Sequence, residues 1–320
     1  PRAGFLAMQL LTQACPPLSP QQAGLGPVEA FGNGDVLVRD RWDGATVLAI
    51  HGGGEPLNGP GHLHGDLNSF ILAHRQERLL VDPGHSCYRN LVHAVEVQSQ
   101  CHSTLTFVEA MGGGRQEDVG KAALLQQATA VGHRAIVDGR PGPAVGRGAR
   151  RLCAIHRDGV SIVGSECSGA YGAPLTRVAR FWILCGAHVL FIVDHVQADR
   201  PVQTTWNWLL NDRDGALDLK LLPDRLVARR GAVGMKLFHG AGGRGPQLAH
   251  GWVHDAYHPL PGQLGEGASG TGQIVRWTDR TPRSEALTVH AVAMDGYGAI
   301  AGWHLKPRDG TTVLEGPGAG

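Results

Sequence analysis

The stretch Leu175–Asp194, which reads LTRVARFWILCGAHVLFIVD, decides the fold class. Its two apolar runs, Leu175–Leu184 and Ala187–Asp194, flank Cys185-Gly186, and a two-residue connection that contains glycine favours a β-hairpin. The second run is almost wholly apolar, which predicts a strand that is covered on both faces. The sequence therefore predicts an antiparallel hairpin at the centre of the domain.

Short apolar runs bounded by Gly, Pro, Asn or Asp continue on both sides of this hairpin. The further predicted strands are Asp35–Arg39, Ala45–Ile50, Ser69–Ala73, Arg78–Asp82, Val160–Glu166, Val202–Leu209, Leu217–Leu221, Arg225–Arg229, Val233–Phe238, Gln273–Trp277, Ala286–Ala293, Ala299–Leu305 and Thr311–Leu314. Strands at such close spacing indicate an all-β fold, a large antiparallel multi-sheet β-sandwich. Val119–Ala130 fits a helical period as well as it fits other structure, and the glycine-rich residues 240–272 predict a long surface excursion.

The composition argues against several classes of protein. The 47 glycines and 19 prolines make up about a fifth of the 320 residues, against roughly 12% in an average protein, which disfavours a mainly helical fold. A net charge of +1 gives no general attraction to nucleic acid or to anionic membranes. No apolar run reaches the ~18 residues that a membrane span requires. The six cysteines include no C-x-x-C pair, and their disulfide pairing stays open.

The first 34 residues differ from the rest of the chain. The apolar run 4–11, GFLAMQLL, lacks the charged start and the cleavage site of a signal peptide, and we interpret it as the end of a helix. Residues 15–34 are rich in proline and glycine and resemble a linker. We therefore expect a remnant of a helical domain plus a linker over 1–34, a β-domain over 35–320, and a chain that is a fragment of a longer protein.

The residues with chemical potential are concentrated in 61–104. Alternation along an extended chain places His62 and His64 on one face. Imidazole nitrogens and carboxylate oxygens bind zinc at roughly 2.0–2.2 Å, and His64, Asp82 and His102 offer three such groups from three adjacent strands or loops. The alternative is a sheet histidine beside an ordinary Asp-Pro-Gly turn. Asp66 either accepts a hydrogen bond from a ligand histidine or caps a turn.

One other motif is incomplete. His51-Gly52-Gly53-Gly54 resembles the oxyanion loop of lipases, but the sequence contains no G-x-S-x-G element that would supply a serine nucleophile.

The stretch 61–88, GHLHGDLNSFILAHRQERLLVDPGHSCY, resembles the signature of the heparinase II/III-like polysaccharide lyases. His102-Ser103-Thr104 is similar to a later segment of that family, with Ser103 where asparagine is usual. The hairpin at 175–194 and the Arg41-Trp42 strand also fit, so the resemblance covers most of 35–320. It implies the C-terminal β-domain of proteins in which an α/α toroid comes first.

The resemblance also implies roles for individual residues. His62 is expected to be the catalytic acid and base, acting with a tyrosine from the toroid, while His64, Asp82 and His102 are expected to hold Zn²⁺. Tyr88 and Arg89 are candidates for substrate binding, with a packed aromatic ring and a surface arginine as the alternatives. The zinc ion is expected to organise the loops around His62, the alternative being direct polarisation of the substrate carboxylate.

The expected partner is an acidic polysaccharide with 4-linked uronic acid units, cleaved by β-elimination outside the cytoplasm, in the periplasm or after secretion. Two other functions stay open. One is a zinc-stabilised β-sandwich that binds glycan without catalysis. The other is a metal-dependent hydrolase in which an open zinc position activates water.

Overall fold

The computed structural model describes residues 8, 18–52, 62–84, 96–109, 124–127, 130–131, 136–137, 140–141, 148–240, 245–253 and 271–317. Strands dominate this part of the chain. The first eleven are β1 Val28–Ala30, β2 Val36–Arg39, β3 Thr46–His51, β4 His62–Leu63, β5 Ser69–His74, β6 Glu77–Leu80, β7 Leu105–Glu109, β8 Leu124–Leu125, β9 Ala130–Val131, β10 Ile136–Val137 and β11 Arg140–Pro141.

The remaining strands each have at least five residues. They are β12 Arg150–Arg157, β13 Val160–Glu166, β14 Leu175–Cys185, β15 Val189–Asn211, β16 Asp218–Leu222, β17 Arg225–Arg230, β18 Val233–His239, β19 Gln247–Val253, β20 Thr271–Thr278, β21 Arg283–Gly296, β22 His304–Arg308 and β23 Thr311–Glu315. Helical turns occur at α1, Ser168–Tyr171, and as 3₁₀ helices at Ser99–Cys101 and Ala299–Gly302.

The 23-residue strand β15 organises the fold. Its first half pairs with β14 and β21, and its second half pairs with β7 and β20. The register shifts between Gln197 and Val202, where the strand changes partners. Seventeen strands are thereby joined into one antiparallel sheet, with three further two-stranded sheets in the described residues. These pairings confirm the predicted all-β, antiparallel architecture.

The core lies on the inward face of this folded sheet. Leu190 and Ile192 of β15 are fully buried, whereas the alternate residues Phe191 and Val193 are only half-buried. The prediction that this strand is covered on both faces is therefore wrong for its outer face. Four tryptophans fill the interior and are completely buried, namely Trp182, Trp206, Trp208 and Trp277.

The central hairpin is confirmed with a different turn. Cys185 pairs with Val189, so the connection is three residues long and Gly186 takes a positive φ of 57°. The predicted strands 187–194 and 202–209 belong to one strand, because the chain stays extended through the polar segment around Pro201.

Other differences concern short or polar elements. The prediction of a strand over Ala299–Leu305 is wrong at its start, where Ala299–Gly302 form a 3₁₀ turn that buries Ile300. The helix considered over Val119–Ala130 lies partly outside the described residues, and the described part of this range contains β8, which pairs with β7. Part of the predicted surface excursion over 240–272 is strand β19, and β1 and β12 are further strands that the sequence pattern missed.

The N-terminal helix remnant falls outside the described residues, apart from Met8, and the boundary at residue 34 stays a prediction. None of the helices in the described part of the chain is long and apolar enough to cross a membrane.

Candidate metal and catalytic site

Three segments bring the candidate residues together. The connection from β4 to β5 carries His64 and Asp66, the corner after β6 carries Asp82, and the turn after the 3₁₀ helix carries His102. We call these four residues the His64 cluster. Its members come from positions up to 38 residues apart, so long-range packing must hold the segments in place.

Gly65 allows the first and third segments to approach each other closely. Its main-chain nitrogen donates to the carbonyl oxygen of Val97 at 2.7 Å. A Cβ atom at this position would lie 2.7 Å from Oγ of Ser99. Only glycine therefore fits between His64 and Asp66 without displacing the 3₁₀ helix that leads to His102.

Buried polar side chains tie the same two segments together further on. Thr104 Oγ1 and Gln127 Nε2 both donate to the carbonyl oxygen of Leu67, at 2.9 and 2.8 Å. The main-chain nitrogen of Leu67 donates to Oε1 of Gln127 at 2.8 Å. Because these groups are buried, breaking one bond would leave a polar atom without a partner, which costs about 1–3 kcal/mol.

Two arginines fasten the segments to the central strands. Arg180 is completely buried and donates to the carbonyl oxygens of Asn68 and Ser103 at 3.2 and 2.8 Å. Arg213 donates to the carbonyl oxygens of Asp82 and Pro83 at 3.4 and 3.2 Å. Each of the three segments is thus bound to β14 or to the end of β15.

The geometry brings two histidines and two carboxylates to one place. Ligand atoms of His64, Asp66 and His102 lie within 4.8 Å of one another. Oδ2 of Asp82 lies 2.9 Å from Nδ1 of His102, and the ring centroids of His64 and His102 are 5.4 Å apart. Two of the three predicted ligands, His64 and His102, therefore lie together with Asp66, and the third, Asp82, lies beside His102.

The electrostatics of the two histidines differ. Burial and the neighbouring His102 lower the pKa of His64, although Asp66 and Asp82 act in the opposite sense. Burial opposes charge on His102, but its hydrogen bond to Asp82 and the charges of Asp82 and Asp66 together outweigh burial and raise the pKa of this imidazole. The same bond lowers the pKa of the Asp82 carboxyl against the effect of burial. His64 is thus the imidazole more easily kept neutral, the form that binds a metal.

A zinc ion fits these residues. Two imidazoles and a carboxylate are a donor set that zinc takes in catalytic and structural sites. Nε2 of His102 is buried and has no hydrogen-bond partner among the described residues. The carbonyl group of Glu96 lies near this ring without reaching hydrogen-bond geometry. The ligand atoms of His64, Asp66 and His102 lie within 4.8 Å of one another, a limit that accommodates the ~3.4 Å between ligands of a tetrahedral shell.

A cavity of about 350 Å³ adjoins the cluster, with Asp35, His51, Asp66 and Asp82 among its lining residues. Nδ1 of His51 lies 2.8 Å from Asp35, and its Nε2 lies 3.5 Å from Asp66. Burial disfavours charge on His51, but Asp35 and Asp66 outweigh burial and raise its pKa to about 9. His51 is therefore an imidazolium between two carboxylates at neutral pH.

The other predicted site residues are described only in part. His62 begins β4, and its main chain pairs with Val131 of β9, while its side chain lies outside the described atoms. Tyr88 and Arg89 lie outside the described residues. Tyr171, which is described, is buried and donates its hydroxyl to the carbonyl oxygen of Leu105 at 2.7 Å. Its hydroxyl is therefore committed to the core.

The role of Asp66 stayed open from the sequence alone. Four residues that support the site were not predicted, namely Asp35, His51, Arg180 and Arg213. A sequence signal exists only for the pair Asp35 and His51, which lie at facing ends of the predicted β2–β3 hairpin. The two arginines contact the site through main-chain oxygens. Every residue type carries such an oxygen, so the sequence gives no signal for these contacts.

The described residues define an antiparallel β-domain of the sandwich type that carries a histidine–carboxylate cluster beside a cavity. The family model for the heparinase II/III-like, C-terminal domain matches residues 24–278. The chain therefore belongs to the heparinase II/III-like family. A comparison with curated protein sequences gave no match.

Solved structures of similar fold carry the same family name or a related one. The heparan sulfate lyase HepC from Pedobacter heparinus has a TM-score of 0.63 at 13% identity, covering 91% of this chain and 42% of that one. The heparinase III that is the BT4657 gene product has a TM-score of 0.61 at 14% identity, with 89% and 39% covered. At such identity the likeness shows the fold, and this chain spans about two fifths of those proteins.

Proposed function

We propose that this chain is the β-domain of a polysaccharide lyase that cleaves 4-linked uronic acid polymers by β-elimination. The observation that carries the proposal is the convergence of His64, Asp66 and His102 two residues from His62, in a domain of the heparinase II/III-like family. The solved relatives are named as heparan sulfate lyases and heparinases, which supports a glycosaminoglycan as the substrate.

The reaction requires a base at a fixed position. The C5–H bond of the uronate breaks, its electron pair forms the C4–C5 double bond, and the C4–O4 bond breaks as the leaving oxygen takes up a proton. In this proposal His62 accepts the C5 proton, since a neutral imidazole with a reference pKa of ~6.5 is an efficient base near neutral pH. A tyrosine from a preceding helical domain donates the proton to the leaving oxygen.

The His64 cluster has a positioning role in this proposal. His64, His102 and the carboxylate of Asp82 would hold Zn²⁺, which supplies positive charge that fixes the three segments. His64 lies two residues from His62 on the same extended segment, so anchoring one imidazole restricts the backbone that carries the other. Tyr88 and Arg89 are proposed to contact the sugar and its acidic groups, and the enzyme is proposed to act in the periplasm or after secretion.

The test is an assay of the full-length protein on heparan sulfate, chondroitin sulfate, hyaluronan and alginate. Ultraviolet absorption by the unsaturated product is expected with at least one of these polymers. His62→Ala should lower turnover by about 10²–10⁴-fold, the usual contribution of a general base, while the zinc content stays at the wild-type level.

The matched control is His156→Ala, which removes a strand histidine that pairs with Ser161 at 2.9 Å, on β12 rather than in the cluster. This variant should keep full activity. Glycan binding without any unsaturated product would overturn the lyase proposal in favour of a binding domain, and saturated products would favour hydrolysis. Loss of zinc from His62→Ala would mean that the roles of the two histidines are divided wrongly.

A further inference from the structure

We propose that Asp66 is a further carboxylate ligand of the zinc ion and that His51, held by Asp35, is the positioning residue that aims it. This inference rests on the proposed zinc site and adds to the ligand set that the sequence pattern predicts.

Asp66 lies close to two of the proposed zinc ligands. Its carboxylate belongs to the group whose ligand atoms all lie within 4.8 Å, together with His64 and His102. The unpartnered Nε2 atom of His102, on a side chain with no exposed surface, is an independent sign that something binds between these groups. Asp82, by contrast, already contacts Nδ1 of His102 at 2.9 Å.

His51 and Asp35 form a second layer of side chains next to Asp66. His51 lies at the end of β3 and is 3.5 Å from Asp66 through Nε2 and 2.8 Å from Asp35 through Nδ1. Asp35 is itself fixed, because Asn33 Nδ2 donates to its second oxygen at 2.7 Å. A metal-bound carboxylate that is hydrogen-bonded by a second layer of side chains is the usual arrangement in metal sites.

The cavity connects these groups to solvent. Asp35, His51, Asp66 and Asp82 all line the cavity of about 350 Å³. An ion that enters this cavity therefore meets the Asp66 carboxylate on its way to the two histidines. His51 contacts Oδ1 of Asp66, and in this proposal the other carboxylate oxygen accepts the ion.

The experiment measures zinc affinity of the full-length protein by competition with a coloured chelator, and records the visible spectrum of the Co²⁺-substituted form. Asp66→Asn keeps the shape but removes the charge, and should weaken zinc binding by more than 100-fold and change the Co²⁺ spectrum. His51→Ala should weaken zinc binding by about 10–100-fold, as loss of an outer partner does. Added imidazole should restore part of that loss.

The matched control is His195→Ala, which breaks another histidine–carboxylate pair, with Glu285 at 3.1 Å, on an exposed part of the sheet. Its zinc affinity should equal that of the wild type. Thermal unfolding of each chelator-treated variant checks that the fold is intact. Wild-type affinity and an unchanged spectrum in both Asp66→Asn and His51→Ala would overturn the inference while leaving the proposed zinc site in place. A wild-type protein that binds no zinc would overturn both.

Discussion

Two histidine clusters in this molecule use the same residue types in opposite ways. The His64 cluster lines a cavity, whereas a core histidine cluster, formed by His239, His290, Asp194 and Arg180, lies among tryptophans. In the core cluster Nδ1 of His239 contacts Nδ1 of His290 at 3.1 Å. Arg180 donates to both oxygens of Asp194, at 2.7 and 3.0 Å. The polar atoms named here therefore all bond to other members of the core cluster.

Unpartnered nitrogens alone do not separate the two clusters. His239 and His290 each have a buried Nε2 atom without a hydrogen-bond partner, as His102 does. Two differences decide the matter. The ring of His239 stacks on Trp277 at 5.0 Å, which leaves little room for a ligand, and the only group of three potential ligands in the described residues is at His64. Convergence of ligand atoms beside open space is the better guide to a metal site.

The core cluster should dominate the stability of the fold. Asp194→Asn would leave Arg180 charged and buried without its partner, and should lower the free energy of unfolding by about 3–5 kcal/mol. Urea unfolding at neutral pH measures this. The matched control is Glu315→Gln, which breaks the exposed pair with Lys306 and should cost far less, because solvent screens exposed ion pairs. Equal losses of unfolding free energy in the two variants would show that the core cluster contributes no more to stability than an exposed ion pair does.

Of the two histidine clusters, only the His64 cluster should affect metal binding. His64→Ala should weaken zinc binding by more than the roughly 100-fold that loss of an outer partner costs, because it removes a proposed ligand. His239→Gln should leave zinc affinity unchanged, since His239 lies in the other cluster. Chelator competition on both variants checks this contrast, and zinc loss from His239→Gln would break it.

Lowering the pH should destabilise the fold through the neutral histidines of the core cluster. Burial and the neighbouring His290 lower the pKa of His239 to about 2, and burial also lowers the pKa of His290. The folded pKa lies below the unfolded value, so unfolding takes up a proton below pH ~6.5 and stability falls as the pH is lowered. Between pH 7.5 and 5.0 each such histidine should cost about 1–2 kcal/mol.

The measurement compares urea unfolding of the wild type and of His239→Gln at these two pH values in the presence of chelator. The variant should lose less stability on acidification, by about 1–2 kcal/mol. Asp194, whose pKa is lowered to about 2 by Arg180 and His290 against the effect of burial, does not titrate in this range. Substitution of the exposed His304 by glutamine serves as the control and should leave the acid loss unchanged.

The sequence predicted most of the fold because strand patterns are local. Alternation and turn residues located β2, β3, β5, β13, β14, β17 and β18 within a few residues. Separate strands were predicted on the two sides of the polar segment around Pro201, yet the chain continues as one strand, since pairing with β7 and β20 overrides local preference. The strand β12 was missed because several of its side chains are charged and exposed.

The candidate site was likewise predictable from the sequence only in part. The spacing of His64, Asp82 and His102 predicted a shared location. His64 and His102 do lie together, and Asp82 contacts His102, while their role as metal ligands stays a prediction. Asp66 could not be assigned from sequence because an aspartate that follows a glycine is equally typical of a turn. The contact between Asp35 and His51 follows from the register of β2 with β3, so the predicted hairpin carried a signal for it, whereas the contacts of Arg180 and Arg213 with main-chain oxygens had none.

The long strand β15 has a consequence for the order of assembly. It provides Asn207 and Leu209, which bind Thr104 and Ser103 beside His102, and Asp194, which orients Arg180 against the same turn. These partners are separated by about a hundred residues of chain, and contacts of such separation form slowly because a long loop must close first. The surroundings of His102 are therefore completed only after the middle of the chain has been synthesised and paired, so the zinc ion that we propose would bind late in maturation.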